Sequence, residues 1–190
     1  MNERIRTNGN PTALWHELIR DAEQRAHSSL DETLESYLVF TLMRHQGDQQ
    51  LAGRVMALEL LEGLDCRGRR REDALRDVGD RCLLLAGLYP EQARERMVSL
   101  SYFVDLGRGS YDQLAAYLRA GLAELYQHLA RSFAELVRVL VEVRMLSGVW
   151  QGLAPLDQYA LCLSQGQLDL TRGQREFAGA VVLQTPEKVQ

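Results

Sequence analysis

The stretch that decides the fold is residues 110–150, SYDQLAAYLRAGLAELYQHLARSFAELVRVLVEVRMLSGVW. Alternating steps of four and three residues from Tyr111 reach an apolar side chain at every position except Ser132. This heptad-like spacing predicts one long helix, or two nearly collinear helices, with a continuous apolar stripe. Ser110 and Gln113 have the spacing of a capping box at its start. An unbroken helix over residues 110–147 would be roughly 55 Å long.

A helix of this kind is typical of the spine of a bundle or of one half of a dimer interface. Gly121 and Ser132 are the positions at which it is expected to kink or break. Outside this stretch the apolar residues also recur at helical spacing, and no segment shows the alternation of a strand or a two-residue hairpin turn. The sequence therefore predicts an all-α fold. We expect a single-domain bundle of about six to eight helices, built around the long helix near residues 110–147.

The helical domain is predicted to cover residues 10–183, between a flexible leader (1–9) and a disordered tail (184–190). Five helices are expected before the long one. The third of them is expected to direct four apolar residues inward: Leu51, Val55, Leu58 and Leu61. Residues 107–109, Gly-Arg-Gly, predict a tight loop that makes the fifth helix antiparallel to the long helix. After Trp150 a short helix is predicted over residues 156–164 and a last one to about residue 183.

Composition places the chain among soluble globular proteins. It has 190 residues, of which 46% are hydrophobic and 25% are charged, and its net charge is −4. That charge is too small to imply a nucleic-acid or membrane partner. Three cysteines without a C-x-x-C motif indicate reduced thiols in a cytosolic protein, and residues 1–10 lack the apolar region of a secretory signal. The most apolar window, residues 133–150, contains four charged side chains, which excludes a membrane span. The predicted location is the cytoplasm.

Two glutamates each precede a histidine by four residues, which places a carboxylate and an imidazole on one helical face. The pairs are Glu23 with His27 and Glu124 with His128. Two such helices facing each other can share a metal ion, although di-iron bundles use a spacing of three residues. Ordinary surface pairs, worth roughly 0.2–0.5 kcal/mol each, are the more frequent cause of this spacing. A haem pocket with His16 or His27 as the axial ligand is a further alternative, and no specific motif implies a cofactor.

Three aspartates form a carboxylate row on the predicted fourth helix: Asp73, Asp77 and Asp80. Such a row can hold a magnesium-bound diphosphate if a second acidic row faces it. Arg76 and Arg81 alternate with these aspartates, so a solvated face with internal charge pairs is the favoured interpretation.

One dense basic patch precedes this row and consists of Arg67, Arg69, Arg70 and Arg71. Arginine side chains match the geometry of phosphate, so the patch is a candidate for binding a small anion or a nucleic acid. Glu72 and Asp73 follow at once, and no aromatic residue lies within the patch, which argues against a nucleic-acid module.

No serine or cysteine nucleophile occurs in a recognisable signature with a histidine, so no catalytic residue is assigned and a non-enzymatic role is favoured. The long helix is apolar on more than one face, which predicts association with a helical partner or a second copy of the chain as a homodimer or scaffold. The predicted interface residues are Leu118, Leu122, Leu125, Leu129, Leu136 and Val143. The alternatives are an enzyme or carrier that holds a metal, haem or small cofactor between helices, and a nucleic-acid-linked regulator that uses residues 67–71.

Overall fold

A computed structural model describes residues 11–46, 51 and 55–146 of the chain. Every regular element in these residues is a helix, which confirms the predicted all-α multi-helix bundle. The predicted leader, the predicted helices after Trp150 and the predicted tail lie outside them. The helices are α1 (Pro11–Ala26), α2 (Glu32–Arg44), α3 (Met56–Asp65), α4 (Arg69–Gly87), α5 (Glu91–Glu95), α6 (Leu100–Tyr117), α7 (Ala120–Arg131) and α8 (Phe133–Leu146). None of these helices combines the length and the apolar composition needed to cross a bilayer.

The centre of the bundle is α4 rather than the segment 110–147. This helix packs against α3, α6 and α8. Its residues from Val78 to Gly87 are all buried, and Leu88 and Tyr89 continue the buried run. A helix that is covered on all sides occupies the middle of a bundle. α1 packs against α8 and α2 on the other side of the structure.

Residues 110–146 form the end of α6 and the whole of α7 and α8, instead of one long helix or two nearly collinear ones. α6 ends where the Leu118 N–H donates to the Leu114 carbonyl at 3.0 Å, and the backbone then turns through Ala120, whose φ is 49°. The rings of Tyr111 and Tyr126 lie 5.7 Å apart on either side of this turn. α6 and α7 therefore form an antiparallel hairpin, and the chain breaks immediately before Gly121, which was the predicted weak point.

The second break falls at Ser132, as predicted. The Ser132 N–H donates to the His128 carbonyl and the Leu136 N–H donates to the Ser132 carbonyl, both at 2.9 Å. Hydrogen bonds of helical spacing therefore continue through the junction, although φ and ψ of Ser132 are −89° and 6°. α7 passes into α8 through this single residue, and the apolar side chains on both sides of it, Leu129 and Leu136, are buried.

Residues 107–109 lie inside α6, so the predicted loop at this position is wrong. A Cβ atom on Gly107 would lie 2.4 Å from Phe133 Cζ and 2.8 Å from Cys82 Cβ. Glycine is present here because α4 and α8 approach α6 too closely for a side chain. The sequence pattern of a turn and that of a close helix crossing are the same at this point, since both need glycine.

The start of α6 also differs from the prediction. The preceding helix, α5, is only five residues long, and the chain passes through Met97 with a φ of 55° before Ser99 caps α6. The Ser99 hydroxyl accepts the Tyr102 N–H at 3.2 Å. Ser110, the predicted cap, is instead buried in the middle of α6, where its Oγ donates to the Leu75 carbonyl of α4 at 2.6 Å.

Candidate functional site

Asp80 is a fully buried carboxylate on α4, where α2 and α6 meet that helix. The hydroxyls of Tyr37 and Tyr111 donate to its Oδ1 at 2.6 and 2.7 Å, and Arg44 Nη1 donates to its Oδ2 at 2.5 Å. His45 Nε2 lies 3.8 Å from Oδ2. Buried charges require such partners. Because both carboxylate oxygens already accept hydrogen bonds from the protein, little capacity remains for a metal ion or a substrate.

The two tyrosines keep their protons in this environment. Burial raises the pKa of Tyr37 and of Tyr111 well above its usual value, and the negative charge of Asp80 acts in the same direction. Their rings meet edge to face at 6.1 Å, and the ring of Tyr126 lies 6.0 Å from Tyr37 and 5.7 Å from Tyr111. The Asp80 network therefore joins α2, α4, α6 and α7, and its chemistry is that of a structural element.

The other two aspartates of the predicted row behave as ordinary surface residues. Asp73 accepts a hydrogen bond from Arg76 at 2.7 Å and Asp77 accepts one from Arg81 at 2.8 Å. For these two the interpretation as a face with internal charge pairs is confirmed. For Asp80 it is wrong, because its partners come from other helices and its side chain has no exposed surface. The row is thus divided between the surface and the core.

The four residues of the predicted metal site have separate surroundings. Glu23 is buried and accepts the Leu30 N–H at 2.6 Å, and His128 Nε2 lies 3.3 Å from Asp31 Oδ2. His27 is exposed just after the end of α1, and Glu124 is exposed on α7. The described part of the chain contains no group of three or more His, Cys, Asp or Glu residues arranged to hold a metal ion. The metal hypothesis therefore gains no geometric support.

The first haem-ligand candidate, His16, is engaged at the contact between α1 and α2. Its Nδ1 lies 2.9 Å from Glu35 Oε1, and Arg20 Nε donates to the same oxygen at 3.2 Å. His16 and Arg20 thus fasten α1 to Glu35 of α2. Separately, Glu135 of α8 accepts a short hydrogen bond from the hydroxyl of Ser28, in the link between α1 and α2.

The four arginines of the basic patch, like the three aspartates, differ in their surroundings: one is held by contacts within the fold and three are exposed. Arg71 Nη1 donates to the Leu64 carbonyl at 2.7 Å, and its guanidinium lies 5.0 Å from the centre of the Tyr117 ring. The Tyr117 hydroxyl accepts the Gly68 N–H at 2.8 Å. Arg71 thus helps to fix the start of α4 against α6, while Arg67, Arg69 and Arg70 are exposed.

Half of the predicted interface residues are not accessible to a partner. Leu129, Leu136 and Val143 are buried in the core of this chain, because α7 packs against α6, and α8 packs against α1 and α4. Leu118 and Leu125 are half-buried. Leu122 alone among the six is largely exposed, with 57% of its surface accessible. The heptad-like stripe therefore serves the protein's own core in its second half.

Several exposed large apolar side chains of the described residues lie on or next to α3 and at the start of α6, and others lie elsewhere, at Phe40, Tyr117 and Leu122. Leu58 and Leu61 of α3, which were predicted to face inward, are 56% and 59% exposed, and Val55 is similar. The side of α3 that packs on α4 carries Met56 and Gly63 instead. Met97 is 93% exposed and Leu100 is 45% exposed. We call these residues the α3–α6 surface: Val55, Leu58, Leu61, Met97 and Leu100.

A cleft of about 360 Å³ opens within this surface. The residues that line it come from the start of α3, the link after α5 and the first turns of α6: Val55, Met56, Arg96, Val98, Tyr102 and Phe103. Met56 and Phe103 are buried and form an apolar floor. Val55 is the member of the α3–α6 surface that lines the cleft, and Met97 lies in the chain between Arg96 and Val98, two other lining residues.

The sequence contains a signal for this surface that the periodicity argument missed. Residues 55–64, VMALELLEGL, are apolar on nearly all sides of a helix. Such a helix either occupies the middle of a bundle or shares one side with a partner. Since α3 contacts the rest of the described structure mainly through α4, one of its apolar sides is left uncovered.

The chain matches no protein-family model, no curated protein sequence and no solved structure.

Proposed function

We propose that this protein is a non-enzymatic binding or adaptor protein that recognises an amphipathic helix of a protein partner at the α3–α6 surface. The observation that carries the proposal is the presence of exposed large apolar side chains on α3 and at the start of α6, together with a cleft lined by the exposed Val55 and the buried Met56 and Phe103. Contiguous exposed apolar residues rimming a cleft mark an interaction site more often than single scattered ones do. A second copy of the chain is one source of such a helix.

Hydrophobic burial supplies a sufficient driving force. Covering the five side chains of the α3–α6 surface would contribute on the order of 5 kcal/mol, before the loss of translational and rotational freedom is subtracted. The floor formed by Met56 and Phe103 provides a pocket for one or two large side chains, which is how helices are usually anchored in grooves.

Met97 adds a second line of support. It is the most exposed large apolar residue of the described chain, and its φ of 55° lies in the left-handed region that disfavours residues with a side chain. The backbone conformation reduces the stability of the isolated chain, and the exposed side chain contributes almost no burial to offset it. Backbone strain of this kind concentrates at sites of binding and switching.

The test uses the full chain and compares Leu58→Asp on the α3–α6 surface with Leu122→Asp, an equally exposed apolar residue on α7. Thermal unfolding establishes that both variants fold. Sedimentation velocity measures self-association, and cross-linking in cells followed by mass spectrometry measures partners. We expect Leu58→Asp to weaken association by about tenfold or more, which corresponds to about 1.4 kcal/mol, and Leu122→Asp to resemble the wild type. Equal association of all three proteins, or no association of any, would contradict the proposal.

A further inference from the structure

We infer that a second surface of this protein binds single-stranded nucleic acid, with arginine side chains on the phosphates and a tyrosine ring on an unpaired base. The surface lies where the start of α4 meets the end of α6, whereas the cleft involves the first turns of α3 and α6. It shares no residue with the α3–α6 surface, so the inference does not depend on the proposed function. We call its five residues the Arg–Tyr patch: Arg67, Arg69, Arg70, Tyr117 and Arg119.

Two contacts bring the parts of the Arg–Tyr patch together. The Gly68 N–H donates to the Tyr117 hydroxyl at 2.8 Å, although these residues are 49 positions apart in the sequence. The guanidinium of Arg71 lies 5.0 Å from the centre of the Tyr117 ring. Arg119 follows Tyr117 by two residues, so their Cα atoms are at most about 7 Å apart. The run of residues 67–70 and the turn after α6 therefore form one surface.

The structure changes both reasons for which the sequence argues against nucleic acid. No aromatic residue lies within the run of arginines, but α6 supplies the Tyr117 ring, which is 40% exposed. Of the two acidic residues that follow the run, Asp73 accepts a hydrogen bond from Arg76 at 2.7 Å and Glu72 is half-buried. The four arginines of the Arg–Tyr patch are exposed. Arginine and an aromatic ring thus share one surface, which is the combination that nucleic-acid sites use.

The local charge of the Arg–Tyr patch is positive, although the whole chain carries −4. Residues 66–71 and 115–123 contain arginine and no aspartate or glutamate. At physiological ionic strength, exposed charges separated by more than about 8 Å are largely screened, so distant carboxylates of the chain act weakly at the patch. Each exposed guanidinium can donate two parallel hydrogen bonds to one phosphate. The patch therefore suits about four phosphates of a polyanion.

Tyr117 favours a single strand over a duplex. An aromatic side chain binds nucleic acid by stacking on a base, and in a duplex the faces of the bases are covered by their neighbours. The contacts with Gly68 and Arg71 hold the ring in place before a ligand arrives, which lowers the entropy cost of stacking. An anionic membrane also attracts arginine but offers the ring no base. RNA and DNA share the chemistry that the patch recognises, and the test separates them.

The test measures binding to the full chain by fluorescence anisotropy. The probes are labelled oligouridylate and oligothymidylate of about 12 nucleotides, within the range of known single-strand sites. We expect an affinity that falls about fiftyfold between about 50 and 200 mM salt, because four phosphate contacts give a logarithmic slope of about −2.8. Tighter binding of oligouridylate would assign RNA to the patch, and tighter binding of oligothymidylate would assign DNA. A duplex of the same length and vesicles that contain phosphatidylserine are compared under the same conditions.

Variants of the Arg–Tyr patch test the role of its side chains. Arg69→Gln combined with Arg70→Gln should weaken binding about tenfold or more and reduce the salt slope to about −1.4. Arg138→Gln, which changes an exposed arginine of α8, is the matched control and should leave both unchanged. Tyr117→Leu removes the ring, and we expect it to bind about fivefold or more weakly than Tyr117→Phe, which keeps the ring. Thermal unfolding establishes that every variant folds.

Four results would overturn the inference: no binding of either single strand, equal affinities of the double arginine variant and Arg138→Gln, equal affinities of Tyr117→Leu and Tyr117→Phe, or tighter binding of the duplex or the vesicles than of the single strands. Preference for the vesicles would identify an anionic membrane as the partner instead. The result is separable from the proposed function. If Leu58→Asp weakens association but the single strands do not bind, only the inference fails. If the single strands bind as expected but Leu58→Asp leaves association unchanged, only the proposed function fails.

Discussion

At the scale of single residues, Asp80 illustrates a charge that is retained in the core because other helices satisfy it. Its partners Tyr37 and Tyr111 lie 43 and 31 positions away in the sequence. The local pattern around Asp80 resembles that of Asp73 and Asp77, so nothing in its own helix distinguishes it. Whether a helical aspartate is buried is decided by the residues that the fold brings to it.

Removing this carboxylate should destabilise the protein strongly. Asp80→Ala leaves Arg44 and two buried hydroxyls without their acceptor, so we expect a loss of about 3–5 kcal/mol in the free energy of unfolding. Asp73→Ala is the control, because Asp73 is half-exposed and pairs only with Arg76, and its loss should stay below about 1 kcal/mol. Urea denaturation followed by circular dichroism measures both. Equal losses would show that the Asp80 network contributes no more than a surface pair.

Glu23 makes stability depend on pH in a defined direction. Burial raises its pKa above the usual 4.5, against the hydrogen bond from the Leu30 N–H, which lowers it. The native state therefore binds the proton more tightly than the unfolded state. The stability contributed by the protonated carboxyl is complete below pH 4.5 and is lost as pH rises through the raised pKa.

Glu23→Gln should remove this dependence while keeping an oxygen that accepts the Leu30 N–H. We expect the stability of the wild type, relative to this variant, to decrease as pH rises above 4.5, because the native state binds the proton of Glu23 more tightly than the unfolded state. Denaturation midpoints across this range measure it, with Glu17→Gln on the exposed side of α1 as the control for loss of a charge. A relative stability that rises with pH would show that the pKa of Glu23 is lowered.

At the scale of helices, the sequence predicts those helix ends and breaks that depend on residues close together in the chain. α2 runs over Glu32–Arg44 and begins at a cap that lies next to it in the sequence, Asp31, whose side chain accepts the N–H groups of Thr33 and Leu34. The break at Ser132 was also predicted. By contrast, the loop predicted at residues 107–109 is wrong, because the need for glycine there comes from Phe133 and Cys82 on other helices.

Substituting two glycines of α6 tests whether each glycine is required by a close contact between helices. Gly107→Ala would place a Cβ within 2.4 Å of Phe133, and we expect it to destabilise the protein by about 1–3 kcal/mol. A Cβ on Gly109 meets nothing within 4 Å. Gly109→Ala should therefore stabilise the protein by about 0.5–1 kcal/mol, because alanine favours the helix. Thermal unfolding of both variants measures the difference, and destabilisation by Gly109→Ala would contradict the assignment of these residues to a helix interior.

The candidate site was predicted less well than the helices, for a reason visible in α3. The helix is apolar on both sides, and its sequence does not show which side meets α4. Leu58 and Leu61 were predicted to face inward, whereas the structure directs Met56 and Gly63 to the core. The expectation of a surplus apolar face, which led to the prediction of a partner, was placed on residues 118–143. The structure places the surplus on α3.

At the scale of the whole molecule, polar and apolar groups are distributed in an unusual way. A carboxylate lies at the centre of the bundle, and several large apolar side chains lie outside it. The first arrangement is stabilised by hydrogen bonds within the chain, whereas the second leaves apolar side chains largely exposed. Under the proposed function, stability and binding place opposite demands on the α3–α6 surface, as is common at functional sites.

Met97 allows these demands to be measured separately. Met97→Gly relieves the left-handed backbone strain, which costs about 1–2 kcal/mol for a residue with a side chain, and adds about 0.5–1 kcal/mol of chain entropy to the unfolded state. We expect the free energy of unfolding to rise by up to about 1 kcal/mol. Ala120→Gly is the matched control, because Ala120 has a φ of 49° at the first position of α7, outside the surface. Both variants should be slightly more stable than the wild type, and only Met97→Gly should lose partner association in the cross-linking assay.

If Met97→Gly keeps full association, the exposed methionine is not part of the binding site. If it unfolds more easily than Ala120→Gly, Met97 makes a contact within its own chain that outweighs the strain.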